Sequence, residues 1–255
     1  MRRDFTLDVY RSFLEAALEQ DYLLTSYEDY VSRDLSDQKV LILRHDVDRL
    51  PQNSLATAML QAELGVKGSY YFRIVPASFQ PTYIKQIRDL GHEIGYHYED
   101  MALAKGDVKQ AIASFERNLA KVSEFYPVKT ICMHGSPLSK WDNRQIWEKY
   151  DYHDYGILAE PYFDIDFHKM LYITDTGRNW NKSSSSVRDK VSTSYNFQFA
   201  STYDLISQLK QGKLPDQIMQ NIHPQRWSNT LANWTQELVM QNIKNQVKKI
   251  IVKLQ

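Results

Sequence analysis

A chain of 255 residues, 43% hydrophobic and 24% charged, has the makeup of a soluble globular protein, and its length suits one large α/β domain. Lysine plus arginine number 31 and aspartate plus glutamate also 31, so the formal charge is zero and no strong field favours nucleic acid or another polyanion. The single cysteine, Cys132, excludes a disulfide framework and a thiolate zinc cluster.

The opening MRRDFTLDVYRSFLEAALEQ has two arginines but neither an apolar core nor a small-residue cleavage site. It reads as an amphipathic helix and not as a signal peptide. No stretch approaches the roughly 20 apolar residues of a membrane span. A cytoplasmic location is therefore expected, with room for peripheral contact at a membrane surface; the oligomeric state is not readable.

VLILRH (40–45) predicts a strand, and LPQNSLATAMLQAELG a helix closed by Gly65. KGSYYFRIV (67–75), rich in β-branched and aromatic residues, is the next strand. PTYIKQIRDLG predicts a helix stopped by Gly91, HEIGYHY (92–98) a third strand, and DVKQAIASFERNLAKVSEFY a helix capped by Asp107. VKTICMHG (128–135) is a fourth strand; RQIWEKY reads as helix, KMLYITDTG as strand. Residues 177–201 are polar and read as a long surface loop, with a low-complexity spot at 183–186. TYDLISQLKQG predicts a helix, IMQNIHP a short strand, and TLANWTQELVMQNIKNQVKKIIVKL a final amphipathic helix. This alternation predicts a parallel sheet or barrel with helices outside. One domain is expected, with a helical segment over 1–38, a barrel over 39–225 and a last helix over 229–254.

In such architectures reactive groups gather at the carboxyl ends of strands. Asp46 and Asp48 end the first predicted strand, and alternation puts both on one face. Two aimed carboxylates suit a cation and the chemistry beside it; equally, turn aspartates before a helix starting at Pro51 would explain them. His97 and Glu99 end the third strand, again two apart, while His134 and Ser136 end the fourth. Asp175 and Arg178 follow the next, and His223 ends the last.

RHDVD, GHEIGYHYED, HGSP, TDTGRNW and NIHP, in that order from about residue 40 to 225, resemble the polysaccharide deacetylase (NodB-type carbohydrate esterase) superfamily. The resemblance implies an irregular (β/α) barrel of about seven parallel strands and a divalent metal, zinc for preference. It implies Asp46 as general base, Asp48 and His97 as metal ligands, and His223 as general acid. Arg178 and Trp180 match a segment that supports the base and walls the pocket, and Tyr98 and Ser136 complete the expected pocket lining. The pattern departs at Met101, where the family carries a second histidine, and at His134-Gly135-Ser136-Pro137, where it carries an arginine. Three accounts follow, in this order: His134 replaces the missing ligand, Glu99 supplies an oxygen instead, or the metal has been lost. A catalytic zinc needs three protein ligands and an open position, and Asp48, His97 and His134 meet that count.

His45 and His92 are expected to be structural, as is the Cys132 thiol. His153 and His168, in KYDYHDYGILAEPYFDIDFHK, belong to a solvated or sugar-contacting loop. The implied reaction is metal-assisted removal of an N-acetyl or related acyl group from a sugar, a sugar nucleotide or a lipid-linked saccharide. Two other readings compete. One is a non-catalytic saccharide-binding barrel. The other is an Asp-x-Asp glycosyltransferase, which would leave His97, His134 and His223 without a role; G-x-G-x-x-G and Walker phosphate loops are absent.

Overall fold

The computed structural model describes residues 3–180 and 191–254, with residues 247–254 as backbone only. Helix α1 (Leu7–Glu19) starts on the side-chain cap of Thr6 and leads through β1 (Leu23–Thr25) and α2 (Tyr27–Val31) to the long strand β2 (Val40–Val47). Then α3 (Pro51–Glu63), β3 (Ser69–Phe72), α4 (Pro81–Asp89) and β4 (Glu93–Tyr98) alternate as the sequence predicts. A short α5 (Asp100–Leu103) and the long α6 (Val108–Ser123), capped by Asp107, precede β5 (Ile131–Met133). After α7 (Pro161–Asp164) come β6 (Leu171–Thr174), α8 (Thr202–Lys210), β7 (Gln217–Ile222) and the terminal α9 (Leu231–Leu254).

All pairings are parallel, in the order β5-β4-β3-β2-β7-β6, and β1 pairs the first half of β2 on the edge that β3 takes over further along. An isolated bridge from Thr130 to Ala159 continues the sheet past β5. Parallel strands covered on both sides must be apolar on both sides, and alternation separates the two packings. Leu41, Leu43 and Ile173 pack outward with residues of α1 and α8, and Tyr70, Phe72 and Tyr96 outward with residues of α4 and α6. Val40, Ile42, Tyr172 and Met219 meet Tyr27 and Ala159 on the inner face. Arg44 of β2 reaches Tyr162 of α7 and Tyr172 of β6 across the interior, so the sheet is curled into a half-barrel.

Three features differ from expectation. RQIWEKY forms a 3-10 helix (Asn143–Glu148) with an Asp142/Gln145 capping box, not an α-helix. Strand β1 is only three residues long, too short for its period to show in sequence. Of the stretch expected to be a surface loop, Trp180 and Phe199 are buried in the core; residues 181–190, including the low-complexity spot, lie outside the described residues. Among the described residues no helix is long and apolar enough to cross a membrane.

Candidate metal centre and active site

Helix α3 decides between the two readings of Asp46 and Asp48. Its N-cap is Leu50, in the left-handed region, with Pro51 in the first turn and no side-chain cap. Neither aspartate serves the helix. Arg44 and Asp46 point into the barrel from β2, and Asp48 follows just beyond the strand end. The register sets β3, β4 and β5 beside them, so His97 comes up next to Cys132 and His134 follows one residue past β5.

Asp48 is the meeting point. Its Oδ1 is buried and accepts no hydrogen bond, yet His134 Nε2 lies 3.5 Å away and His97 Nε2 3.8 Å away. Both rings are pinned from behind. His97 Nδ1 sits 2.9 Å from the Cys132 carbonyl oxygen, which can only accept, so Nδ1 carries the proton and Nε2 presents its lone pair. His134 Nδ1 lies 3.0 Å from Glu99 Oε2 and 3.1 Å from Ser136 Oγ. Glu99 is itself clamped by Arg73 at 2.7–3.0 Å. Burial pulls His97 down to about 4 despite the nearby Asp46, so the ring is neutral at ordinary pH. Burial pushes Asp48 up, but His134, His223 and His97 outweigh it and hold the carboxyl at about 2.

Two nitrogen lone pairs and an ionised carboxylate oxygen, one of them an orphaned buried acceptor, form a donor set that fits a zinc-like cation. The carboxylate behind His134 is the usual outer partner of a ligating histidine. A second grouping, Asp46, His97 and Cys132, brings its donor atoms within 4.8 Å of one another, a spacing that Asp48, His97 and His134 together do not meet. There, however, Arg44 donates to both oxygens of Asp46, at 3.0 and 2.8 Å, and Asn221 Nδ2 donates to Oδ2 at 2.9 Å. A cation bound to Asp46 would face a buried guanidinium. Asp48 Oδ1, by contrast, has no guanidinium or amide donor on it.

Around it stand two groups that can handle protons. Burial raises the Asp46 carboxyl, but Arg44 wins and holds it well below the usual carboxylate range. His223 points Nε2 toward Asp48 Oδ2 at 4.0 Å, while its Nδ1 bonds Asp175 Oδ1 at 2.7 Å. Asp175 is fully buried and also accepts from Arg226, from Trp227 Nε1 at 2.8 Å and from the His223 backbone N–H. A cavity of about 410 Å³ opens above Asp48 and His134.

No protein-family profile matches the chain, and no curated protein matches it. Among solved structures, the chain is similar to a CE4 esterase of Streptococcus mutans at 12% identity and a TM-score of 0.47, covering 89% of this chain and 87% of that one. It is also similar to a family 4 carbohydrate esterase of Bacillus anthracis at 11% identity and a TM-score of 0.40, covering 93% and 85%. The peptidoglycan deacetylase PdaC of Bacillus subtilis follows at 13% and 0.36, covering 84% and 98%.

The structure thus brings Asp46, Asp48, His97, His134 and His223 together, with Ser136 beside His134. Other expected site residues are elsewhere. Glu99 stands behind His134, engaged by Arg73. Tyr98 is on the opposite face of β4 from His97, packed on Phe115 and Trp147, so it cannot line the pocket. Trp180 is a core residue whose Nε1 donates to Thr202 Oγ1. Arg178 donates to the carbonyls of Trp234 and Asp4 and stacks on Phe5 and Trp234; the guanidinium that holds Asp46 is Arg44. Met101 is buried in the outer core with residues of α6, away from Asp48.

His45 and His92 are structural as expected. His45 is stacked on Tyr70 with Nδ1 2.9 Å from the Ser69 carbonyl, and His92 accepts from Gly68 N–H at 3.1 Å and reaches the Ala58 carbonyl at 3.0 Å. His153 bonds Asp151 within its own exposed loop, and His168 Nε2 meets Ser192 Oγ at 3.3 Å on the surface. Sequence reasoning missed Arg44, Asn221 and Gln225. Arg44 had a legible signal, since it precedes Asp46 by two in a strand and so shares its face.

Proposed function

We propose that this chain is a metal-dependent hydrolase that removes an N-acetyl or related acyl group from a sugar-linked substrate. The observation that supports it is the unpartnered Asp48 Oδ1 between His134 Nε2 and His97 Nε2, with proton-handling groups on either side. Asp48, His97 and His134 would hold the ion. When bound, a divalent ion such as zinc lowers the pKa of water toward neutrality and polarises an acyl carbonyl.

The chain's own residues supply the rest. Asp46, kept ionised by Arg44, is always in the form that accepts a proton, although a carboxylate held so low is a weak base. Amines leave poorly unless protonated. His223 is oriented by Asp175 so that Nε2 points toward Asp48, from where it would deliver a proton to the departing nitrogen. Gln225 Nε2 fixes Asp48 Oδ2 at 3.2 Å and leaves Oδ1 for the ion. With the expected cytoplasmic location, soluble or lipid-linked glycosyl compounds are the natural substrates to try. The test is acetate release from N-acetylated hexosamine derivatives by zinc-supplemented protein. Release that depends on added metal and vanishes in Asp46→Asn is expected; metal-independent release, or none from any N-acylated sugar, would contradict the proposal.

A further inference from the structure

The cavity above Asp48 and His134 has a second wall that the hydrolytic centre does not use. Helix α9 supplies it through Glu237, Gln241, Ile243 and Lys244, and Arg49 and Arg226 face it from the strand ends. Glu237 is buried and ion-paired with Arg49; Asn245 ties the helix to the Gly177 carbonyl at 2.9 Å. The helix is thus fixed over the mouth by a half-buried ion pair and a backbone contact.

The wall's lining has three cations, Arg49, Arg226 and Lys244, against two carboxylates, Asp48 and Glu237. Arg49 is paired with Glu237 and Arg226 with Asp175, which leaves Lys244 as the cation without an ion pair among the described residues. Arg226 is held by Asp175 behind it, yet its Nε is buried without a partner, and so is Gln225 Oε1. Both side chains are more than nine-tenths buried. Lys244 has no carboxylate within ion-pair distance among the described residues. Desolvation, and then the neighbouring Arg49, lower its ammonium below the ordinary lysine range, with Glu237 and Asp48 acting the other way.

We propose that this wall is a phosphate subsite, and that the N-acylated sugar is a glycosyl phosphate whose phosphoryl group lies against Lys244 and Arg49. The sugar part of this inference rests on the hydrolase reading; the anion part rests on the wall alone. Phosphate matches the surroundings better than a carboxylate, because it offers oxygens and charge to an ammonium and a guanidinium at once. Pro137, Leu138 and Ile243 give the same cavity an apolar side on which a sugar ring can rest.

Calorimetric binding to the Asp46→Asn protein loaded with zinc separates the two ideas, because it needs no turnover. The probes are N-acetylglucosamine 1-phosphate and the uncharged methyl glycoside of the same sugar. The phosphate ester should bind roughly tenfold tighter or more, the size of a charge-assisted contact. Lys244→Gln should shrink that ratio toward one. Equal binding of the two probes, or a preference that survives Lys244→Gln and Arg49→Gln together, would overturn the subsite. A phosphate preference in a protein that releases no acetate would instead keep the subsite and sink the hydrolase. Repeating the titration with a nucleoside diphosphate sugar and with vesicles bearing a prenyl-linked sugar phosphate tells a soluble phosphate from a lipid-borne one; tighter binding of either supports the subsite.

Discussion

Strands β4 and β5 contribute to two buried polar groups at opposite ends of the barrel interior, completed by β3 at one end and by Asp48 beyond β2 at the other, and the two differ in one respect. At the lower end, Glu93 of β4 is bonded to Ser69 Oγ of β3 and to Thr130 Oγ1 just before β5, and accepts from Glu28 N–H at 2.9 Å. Tyr71 O–H also reaches Thr130 Oγ1, at 2.6 Å. Around Glu93 the network is complete. At the upper end, His97, Glu99 and His134 from the continuations of β4 and β5 converge on Asp48, and its Oδ1 is left without a hydrogen. A saturated buried cluster holds a fold together, whereas one with an aimed, unmatched lone pair awaits a ligand.

The largest contrast should come from the two aspartates of the upper end. Asp48→Asn should weaken zinc binding by orders of magnitude, while Asp46→Asn should bind zinc nearly as well as the parent and lose hydrolysis. Equal loss of metal from both would mean that they do not divide the work. Next comes Glu99→Ala, which removes the partner behind His134 and not a ligand. Its zinc affinity should fall by about 10–100-fold, the usual effect of an outer partner. A loss as large as that of Asp48→Asn would make Glu99 the ligand.

Between the two ends lies Gly95. A Cβ there would overlap the Tyr71 ring and come within 3.0 Å of the Thr130 carbonyl oxygen. Gly95→Ala should cost about 1–3 kcal/mol by overpacking, seen as a lower denaturation midpoint with unchanged slope. A variant as stable as the parent would show that Tyr71 is free to move.

The remaining contrast belongs to the lower end. Burial outweighs the surrounding hydrogen bonds and raises Glu93 from 4.5 to about 7. The folded chain therefore keeps this proton while the unfolded chain loses it, and the stabilisation present below pH 4.5 is lost as pH rises toward 7. His45 works the other way: burial lowers it from 6.5 to about 3, so its contribution is lost as pH falls from 6.5 toward 3. In Glu93→Gln only the first slope is removed. Its melting temperature relative to the parent should rise between pH 4.5 and 7; a constant difference would contradict the buried, protonated carboxyl.

The sequence made the fold legible wherever an element was long enough to show its period. β2, β4 and α6 carry continuous apolar runs or a clear 3.6-residue stripe, but β1 has three residues and the 3-10 turn at Asn143 carries a helix-like composition. The upper site was legible through alternation and strand ends, which placed Asp46, Asp48, His97, His134 and His223 without any contact being known. Tyr98 follows the same alternation: next to His97 in β4, it has to face the helices. Arg178 and Trp180 were not legible in this way. They lie after the end of β6, where chain direction is set by packing on Phe5, Trp227 and Trp234, and no local pattern encodes such distant partners. The role of α9 as a pocket wall was hidden likewise, since an amphipathic stripe does not say what it covers.

The measurement that bears most directly on the centre is metal content in protein purified without chelator or histidine tag, for the parent, His134→Ala and Cys132→Ala. The Asp48, His97, His134 assignment predicts about one zinc per parent chain, loss of it in His134→Ala, and retention in Cys132→Ala. An ion that survives in His134→Ala and disappears in Cys132→Ala would contradict it, and would move the site down the barrel to Asp46, His97 and Cys132, against Arg44.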